Sequence, residues 1–280
     1  MKQYFRMYKK HPKAVALRIL VTAAAALTVL MLFSLVFYIL IKGIPNLKPS
    51  LFEWKYTSKN ASMMPAIINT ITMVLMTLLI AVPFGIGSAI YLTEYAKRGN
   101  KVVPVIRMTT ETLSGIPSIV YGLFGYMAFV HWLDWGYSLM AGIITLAIMI
   151  LPLIMRTTEE ALLAVPDSYR EGSYGLGAGR LRTIFRVVLP SAMPGILSGV
   201  ILGVGRIVGE TAALIYTAGS VTGVPTSLMS SGRTLAVHMY ALLSEGLYTD
   251  EAYATAVVLL VLVFIINRLS AYVANKIQNR

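Results

Sequence analysis

The chain has 280 residues, of which 57% are hydrophobic and 13% charged, and its mean hydropathy is +0.72. This composition is too apolar for a soluble domain and indicates an integral membrane protein. The absence of cysteine excludes disulfides, thiolate nucleophiles and cysteine-ligated metals. The formal charge of +12 could suggest a nucleic-acid partner, but its distribution along the chain follows membrane topology instead.

Six uncharged stretches are candidate membrane spans, the last of which is extended by Arg268 reaching toward the headgroups. A helix needs about 20 such residues to span roughly 30 Å of hydrocarbon, and the stretches lack the period-two alternation of barrel strands. The sequence therefore predicts an all-α polytopic membrane protein with six transmembrane helices. The predicted spans are residues 19–41, 62–93, 112–130, 135–155, 187–205 with an extension past Glu210, and 252–267.

The positive charges are distributed unevenly between alternate loops. Eighteen of the 24 Lys and Arg residues lie in the two termini and the loops on their side, five lie in the opposite loops, and Arg206 lies within a span. This pattern predicts that both termini lie in the cytoplasm. The apolar stretch behind the basic residues 1–18 is long and lacks a small-residue cleavage site, so we expect an uncleaved first span at 19–41.

Catalytic and metal sites are not expected. His11, His131 and His238 lie in separate regions without metal-ligand spacing, so each is predicted to be a surface or interface residue. No Gly-x-Ser-x-Gly elbow is present. No Gly-Lys pair is present either, which excludes a phosphate-binding Walker loop. We expect no cofactor bound by this chain, and any ATP that drives it is hydrolysed by a separate subunit.

The fifth predicted span carries two charges, Arg206 and Glu210. A charge at bilayer depth costs roughly 2.5–3.5 kcal/mol and usually marks a transport pathway. Because the two residues are one helical turn apart, the alternative is a purely structural ion pair. Glycines at every fourth position, Gly195, Gly199 and Gly203, predict close helix contacts. Our hypothesis is that Arg206 alternates between Glu210 and a passing anion.

A cytoplasmic segment, residues 159–190, has an unusual organisation. Ser168 and Glu171 have the spacing of a capping box, which predicts the start of a short helix at Ser168. Glycines that can adopt left-handed conformations predict its end. They are Gly175, Gly177 and Gly179.

A second amphipathic helix is predicted to follow and to stop at Leu189 and Pro190. Its apolar face has helical spacing, and basic side chains lie on another face. Such a helix-turn-helix either docks a partner or lies on anionic lipid, and the pattern alone does not distinguish the two. The apolar residues are Leu181, Ile184, Phe185 and Val188.

Three further features are predicted from proline, charge and glycine. Pro83 and Pro117 are expected to bend their helices. Residues 97–112 are predicted to form an interfacial helix that leads into the third span. Residues 220–250 are expected to be a solvated connection outside the membrane that could meet a binding protein.

The cytoplasmic segment carries a family resemblance. Its spacing resembles the EAA loop of bacterial binding-protein-dependent ABC importer permeases, Glu-Ala-Ala-x-x-x-Gly, nine residues, then Ile-x-Leu-Pro. Glycine and serine replace the two alanines, and valine replaces isoleucine, so small residues stay small. The matching residues are Glu171, Gly172, Ser173, Gly177, Val187, Leu189 and Pro190.

Two further segments narrow the resemblance. Residues 205–213 and 113–125 are similar to the permeases of phosphate-specific importers, and Gly-Glu-Thr-Ala with the residues after it is more similar to the PstA type than to the PstC type. The resemblance covers roughly residues 60–275. It implies a type I importer permease in which residues 62–275 form a five-helix transmembrane domain. It also implies Arg206, Glu210 and Thr211 as substrate-pathway residues.

The resemblance also implies partners. The segment 159–190 would contain a coupling helix seated on a cytoplasmic ATP-binding subunit dimer. A second, homologous permease of the PstC type would share the pathway within the lipid bilayer, and an extracytoplasmic phosphate-binding protein would dock outside; no nucleic acid is implied. Alternatives are a permease for molybdate, sulfate or phosphonate, an ion-coupled secondary transporter, and an intramembrane enzyme.

Overall fold

The computed structural model describes residues 12–97 and 99–278, so most of the basic N-terminus, including His11, lies outside the described residues. The described residues are helical and contain no strand, which confirms the all-α prediction. The α-helices are α1 Pro12–Gly43, α2 Met64–Ile90, α3 Val102–Ser114, α4 Ser118–Gly125, α5 Leu139–Leu163, α6 Asp167–Gly175, α7 Arg180–Thr183, α8 Leu189–Val208, α9 Ala212–Thr217, α10 Leu235–Glu245 and α11 Thr249–Gln278.

Wider π-helical turns extend three of these helices. They are Tyr91–Tyr95 after α2, Tyr126–Trp132 after α4 and Ile184–Val188 between α7 and α8. Short 3₁₀ turns at Ile44–Asn46 and Pro49–Phe52 follow α1.

Five helical stretches in the described residues are long and apolar enough to cross a membrane. A sixth crossing results if the bent pair Val102–Ser114 and Ser118–Trp132 counts as one span. The predicted polytopic architecture is therefore confirmed. The five stretches are Lys13–Asn46, Met64–Tyr95, Leu139–Leu163, Arg180–Val208 and Thr249–Tyr272.

The third predicted span, residues 112–130, is not one continuous helix. The chain turns by 100° between α3 and α4. Pro117 lacks an N–H and disfavours helical geometry in the residue before it, so the helix breaks there. The Tyr121 hydroxyl donates a hydrogen bond to the Leu113 carbonyl (2.8 Å), which holds the corner. Pro83, in contrast, lies inside α2 with helix on both sides.

The core is built around α5. In the most apolar stretch of α5, 67% of the residues are buried, whereas none is buried in the corresponding stretch of α1. The burial of α5 arises because α2 packs along one side of it and α8 along the other. Ile143, Ile150 and Ile154 of α5 are fully buried in this core. α1 lies outside this core and packs on α11. The absence of a side chain at Gly43 lets the backbone of α1 approach the Tyr253 carbonyl of α11.

The helices of segment 159–190 differ from the predicted ones at two boundaries. α6 begins at Asp167 with Pro166 before it, and no side chain caps its N-terminus, so the predicted Ser168–Glu171 capping box is wrong. The second helix does not stop at Leu189 and Pro190 but continues into α8. Pro190 occupies the first turn of α8, where a missing N–H is tolerated.

Residues 220–250 are not simply a solvated connection. They contain α10, which begins where the Thr234 side chain accepts from the Val237 N–H and ends at Gly246 with φ +70°. Leu235, Val237 and Leu242 of this helix are 0–1% exposed. The glycine- and serine-rich composition before α10 concealed this packing.

Candidate functional site

The candidate site is the break between helices α8 and α9. α8 ends at Val208, and Glu210 and Thr211 separate it from α9. Gly209 ends the helix and is exposed. The Glu210 Oε1 accepts a hydrogen bond from the Ala213 N–H at 3.0 Å, which stabilises the first turn of α9. The break places irregular backbone in a chain segment that is otherwise apolar.

Arg206 and Glu210 do not form an ion pair in this structure. The predicted pairing assumed a continuous helix, but the chain leaves the helix at Gly209, so the one-turn geometry is lost. Glu210 is 8% exposed, and its carboxylate is directed to backbone. The structural ion-pair alternative is therefore wrong, and the hypothesis that Arg206 alternates between Glu210 and a passing anion stays a prediction.

Arg206 is half-buried in the last turn of α8. Its guanidinium lies within electrostatic range of the Tyr121 hydroxyl, beside the corner between α3 and α4. A side chain added at the neighbouring Gly205 would meet open space. Thr211 is also half-buried, and its hydroxyl contacts the Gly209 carbonyl at 3.4 Å. The structure thus brings Arg206 and the break together at a partly open surface of the helix bundle.

Two close contacts hold α9 against the bundle. A Cβ at Gly122 would lie 2.8 Å from the Ala213 Cα, and a Cβ at Gly125 would collide with the hydroxyl of Thr145 and lie 2.8 Å from a methyl of Thr217. Small residues at these positions therefore let the backbones of α4 and α9 approach closely. The helix break is fixed in place by α4 on one side.

A second, outer cluster joins Tyr56, Arg233 and His238. The guanidinium carbon of Arg233 lies 4.7 Å from the centre of the Tyr56 ring, a cation–π contact. The Arg233 Nε and Nη2 and both ring nitrogens of His238 are buried and have no hydrogen-bond partner among the described residues. Burial, and to a lesser extent the positive charge of Arg233, lowers the pKa of His238 to about 3. The backbone of Ala61 acts in the opposite direction and raises this pKa.

His238 is therefore neutral at physiological pH. The prediction of a surface position for it is wrong, since it is 0% exposed. His131, by contrast, is exposed as predicted.

The residues of the EAA-like motif lie around the turn between α6 and α7. Gly177 has φ +81°, a left-handed conformation that glycine adopts without strain. The Ser173 hydroxyl is 2.8 Å from that of Thr183, which ties α6 to α7. Glu171 and Gly172 are exposed on α6, whereas Leu189 is half-buried and Pro190 exposed at the start of α8.

The predicted apolar face, which covers α7 and the following turn Ile184–Val188, is partly buried and partly exposed. Ile184 and Val188 are fully buried against the bundle, but Leu181 and Phe185 are 64% and 54% exposed. Leu176 in the neighbouring turn is 91% exposed. Segment 159–190 therefore presents apolar side chains that the described residues do not cover.

Two interhelical ion pairs were not found by sequence reasoning. Arg170 of α6 pairs with Glu94 at the end of α2, with Nη2 and Oε1 2.7 Å apart. Arg107 of α3 pairs with Glu159 of α5. The available signal was the presence of acidic residues close to the ends of predicted spans, but spacing does not reveal partners 76 residues apart. Within the described ranges, no group of three or more His, Asp or Glu side chains could hold a metal ion.

Comparisons with known proteins assign the family. The model of the binding-protein-dependent transport system inner membrane component matches residues 81–279. The chain is 34% identical over 277 residues to the probable ABC transporter permease protein YqgI of Bacillus subtilis, covering 91% of this chain and 93% of that protein. It is 41% identical over 165 residues to the phosphate transport system permease protein PstA 2 of Mycobacterium bovis, covering 59% and 54%.

The fold is also found among solved structures. A chain of a bacterial alginate ABC transporter, in complex with an alginate-bound periplasmic protein, matches with a TM-score of 0.70 over 98% of both chains at 16% identity. Together with the sequence relatives, this confirms the resemblance to PstA-type permeases of the type I importer fold. The chain belongs to the family of binding-protein-dependent transport system inner membrane components and is a multi-pass permease subunit of an ABC importer.

Proposed function

We propose that this chain forms, together with a second and homologous permease, a pathway that carries phosphate across the bacterial inner membrane. Support for phosphate comes from the relative named PstA 2, a phosphate transport system permease. The observation that carries the proposal is Arg206, a half-buried cation beside a helix break that forms no ion pair with the acidic residue nearest in sequence. An arginine at membrane depth without a protein carboxylate is suited to a passing anion.

The chemistry of Arg206 fits a tetrahedral oxyanion. Its guanidinium stays charged under all physiological conditions and presents a planar fork of N–H donors that matches two oxygens of a phosphate. Because Oε1 of Glu210 accepts a hydrogen bond from the Ala213 N–H, the Glu210 carboxylate does not compete for the guanidinium of Arg206 in this conformation. A single partly hydrated arginine gives weak binding, which allows entry without trapping the ion. Thr211, whose side chain lies at the same break, is proposed as a second pathway residue.

We further propose that a cytoplasmic ATP-binding subunit dimer docks at α6 and the following turn. Leu176, Leu181 and Phe185 form an uncovered apolar patch beside the exposed Glu171. Apolar side chains rimmed by charge are typical of a protein interface. ATP is bound and hydrolysed by that subunit, and the motif residues from Glu171 to Pro190 transmit its movement. This assignment places α6 and both termini in the cytoplasm.

A phosphate-binding protein is proposed to deliver the anion at the outer face, near α10. The solved alginate transporter carries a periplasmic protein in its complex, which supports a partner of this kind. Molybdate, sulfate and phosphonate permeases are the remaining substrate alternatives, since each of these anions presents several oxygens around a tetrahedral centre. Membership of an ABC importer family disfavours ion-coupled transport, because such importers are driven by ATP.

The test is phosphate uptake by cells that carry Arg206→Gln in an assembled importer. We expect uptake to fall by roughly 100-fold or more, because removal of a charge-assisted bidentate contact costs about 3 kcal/mol. Arg206→Lys keeps the charge but loses the fork and should retain intermediate uptake. Arg268→Gln, the same change at an exposed position of α11, is the matched control.

Two outcomes would overturn this proposal. Normal uptake by Arg206→Gln would remove Arg206 from the pathway. Efficient competition by unlabelled molybdate or sulfate, but not by phosphate, would assign a different anion.

A further inference from the structure

We propose that the ion pair between Arg170 and Glu94 is the link through which the coupling helix α6 moves the cytoplasmic end of α2. The inference rests on the proposed docking of an ATPase at α6, but not on which anion is carried. Arg170 is therefore a positioning residue, one position before the EAA-like motif, that acts on the pathway through α2.

The pair is a largely buried contact between two distant parts of the chain, in which two guanidinium nitrogens donate mainly to one carboxylate oxygen. Nε and Nη2 of Arg170 donate to Oε1 of Glu94 at 3.1 and 2.7 Å, and Nε is 3.5 Å from Oε2. The side chains are only 15% and 6% exposed. Hydrogen bonding to Glu94 raises the pKa of Arg170, against the effect of burial. Two planar, charged groups held in this way permit little relative displacement.

The same guanidinium also binds the end of α5. Nη1 donates to the Val165 carbonyl at 2.8 Å, and Nη2 donates to the Leu162 carbonyl at 3.0 Å. Carbonyls at a helix C-terminus lack partners within the helix, so Arg170 satisfies groups that burial would otherwise leave unpaired. One side chain of α6 therefore fastens the cytoplasmic ends of both α2 and α5.

Among the described residues, α6 makes one side-chain hydrogen bond to the helices that follow it, and this bond is of a weaker kind. Ser173 and Thr183 share a neutral hydroxyl contact at 2.8 Å, which leads toward α8. The remaining contact of Arg170, at 3.2 Å to Asp167, stays within α6 and involves a carboxylate side chain that is 78% exposed. A displacement of α6 is consequently transmitted to α2 and α5 by charge-assisted bonds and to α8 by one neutral bond and by packing.

The geometry of α2 suits this role. Glu94 lies in the π-helical turn Tyr91–Tyr95, which continues α2 without a break, so a force on Glu94 acts on the helix. Near Gly85, α2 packs closely on α5. A Cβ added at Gly85 would lie only 2.7 Å from the side chain of Ile154, so the two backbones are near each other there. α2 and α5 therefore move together when α6 moves.

The first experiment measures coupling in the purified importer reconstituted in liposomes. For Glu94→Gln we expect ATP hydrolysis to continue while the amount of solute imported per ATP falls roughly tenfold, in the range by which network residues change coupling. Arg170→Lys, which keeps the charge without the fork, should show a smaller fall. Asp167→Asn is the matched control, since it removes the exposed partner of the same arginine, and it should couple normally.

The central comparison of the second measurement is made with the ion pair intact. The chain has no cysteine, so spin labels can be placed at Ser168→Cys on α6 and Lys97→Cys after α2, both exposed. With an intact pair, the distance between the two labels should be the same with and without nucleotide. Glu94→Gln should broaden that distance distribution.

The outcomes separate this inference from the proposed function. Normal coupling by Glu94→Gln, or a label distance that changes with nucleotide in the protein with the intact pair, overturns the role of the pair. If Glu94→Gln does not assemble, the label distance in the unaltered pair still decides. Failure of the unaltered chain to bind any ATPase would overturn the proposed docking instead.

Discussion

The carboxylate of Glu210 stabilises a turn of backbone within the membrane region. Its Oε1 accepts from the Ala213 N–H at 3.0 Å, and the side chain is buried. A glutamate in this position acts as a cap for α9, which explains why a costly acidic group is retained at this depth.

Substitutions at Glu210 should separate capping from charge. Glu210→Gln keeps an oxygen acceptor and should leave the stability of the protein within about 1 kcal/mol, whereas Glu210→Ala removes the cap and should cost about 0.5–2 kcal/mol. Thermal unfolding of the purified importer in detergent measures both. Equal stability of the two variants would show that the hydrogen bond to Ala213 does not support the break.

His238 gives a pH dependence with a defined sign. Its pKa is lowered by burial and by Arg233 to about 3, whereas an unfolded histidine titrates near 6.5. Between these values the unfolded chain binds a proton that the folded chain does not, so stability falls as the pH falls. The loss is about 1.4 kcal/mol per pH unit below 6.5.

The check is thermal unfolding between pH 7.5 and 5.0. His238→Leu should flatten the decline, because it removes the buried group that is charged only in the unfolded chain. His131→Leu changes an exposed histidine and should keep the slope of the unaltered protein. A slope that His238→Leu leaves unchanged would show that other groups cause the acid sensitivity.

At the scale of elements, the turn between α6 and α7 depends on one glycine. Gly177 has φ +81°, whereas Gly175 lies at the end of α6 without a positive φ, and neither position is crowded. Gly177→Ala should therefore strain the turn by about 1–2 kcal/mol, and Gly175→Ala should not.

Co-purification of the ATP-binding subunit with each variant measures the consequence. We expect less bound subunit with Gly177→Ala, since the exposed Leu176 and the following helix would be displaced. Equal recovery with both alanine variants would mean that docking tolerates a distorted turn.

Helix existence was predictable from the sequence to a large extent, whereas the interruption after α8, which contains no proline, was not. The spans in α1, α2, α5 and α11 follow from charge-free length alone. The bend at Pro117 was predicted from the proline itself, whereas the break at Gly209 is accompanied by tertiary contacts, such as those of Gly122 with Ala213, that no local pattern contains. For the same reason Arg206 and Glu210 were predicted as one-turn neighbours, although the backbone between them leaves the helix.

The candidate site was predictable in its residues but not in its contacts. Gly177 was identified as a turn residue from its type, because few other residues adopt a left-handed conformation. The partner of Arg170 could not be identified, since Glu94 reaches it only through the packing of α2 on α5. Burial of His238 likewise arises from α10, which the polar composition around it concealed.

At the scale of the whole molecule, the proposed function assigns this chain a share of a pathway rather than a complete importer. The sequence contains no Walker loop. The described bundle leaves Arg206 and the helix break at a partly open surface rather than in a closed channel. Under the proposed function, a second permease completes the pathway and an ATPase on a separate subunit drives it.

The most direct test is uptake of radiolabelled phosphate into liposomes that contain either this chain alone or the full importer with its second permease, ATPase and binding protein. We predict ATP-dependent uptake by the full importer and none by the chain alone. Phosphate uptake by the chain alone, or uptake by the full importer driven by an ion gradient without ATP, would contradict the account.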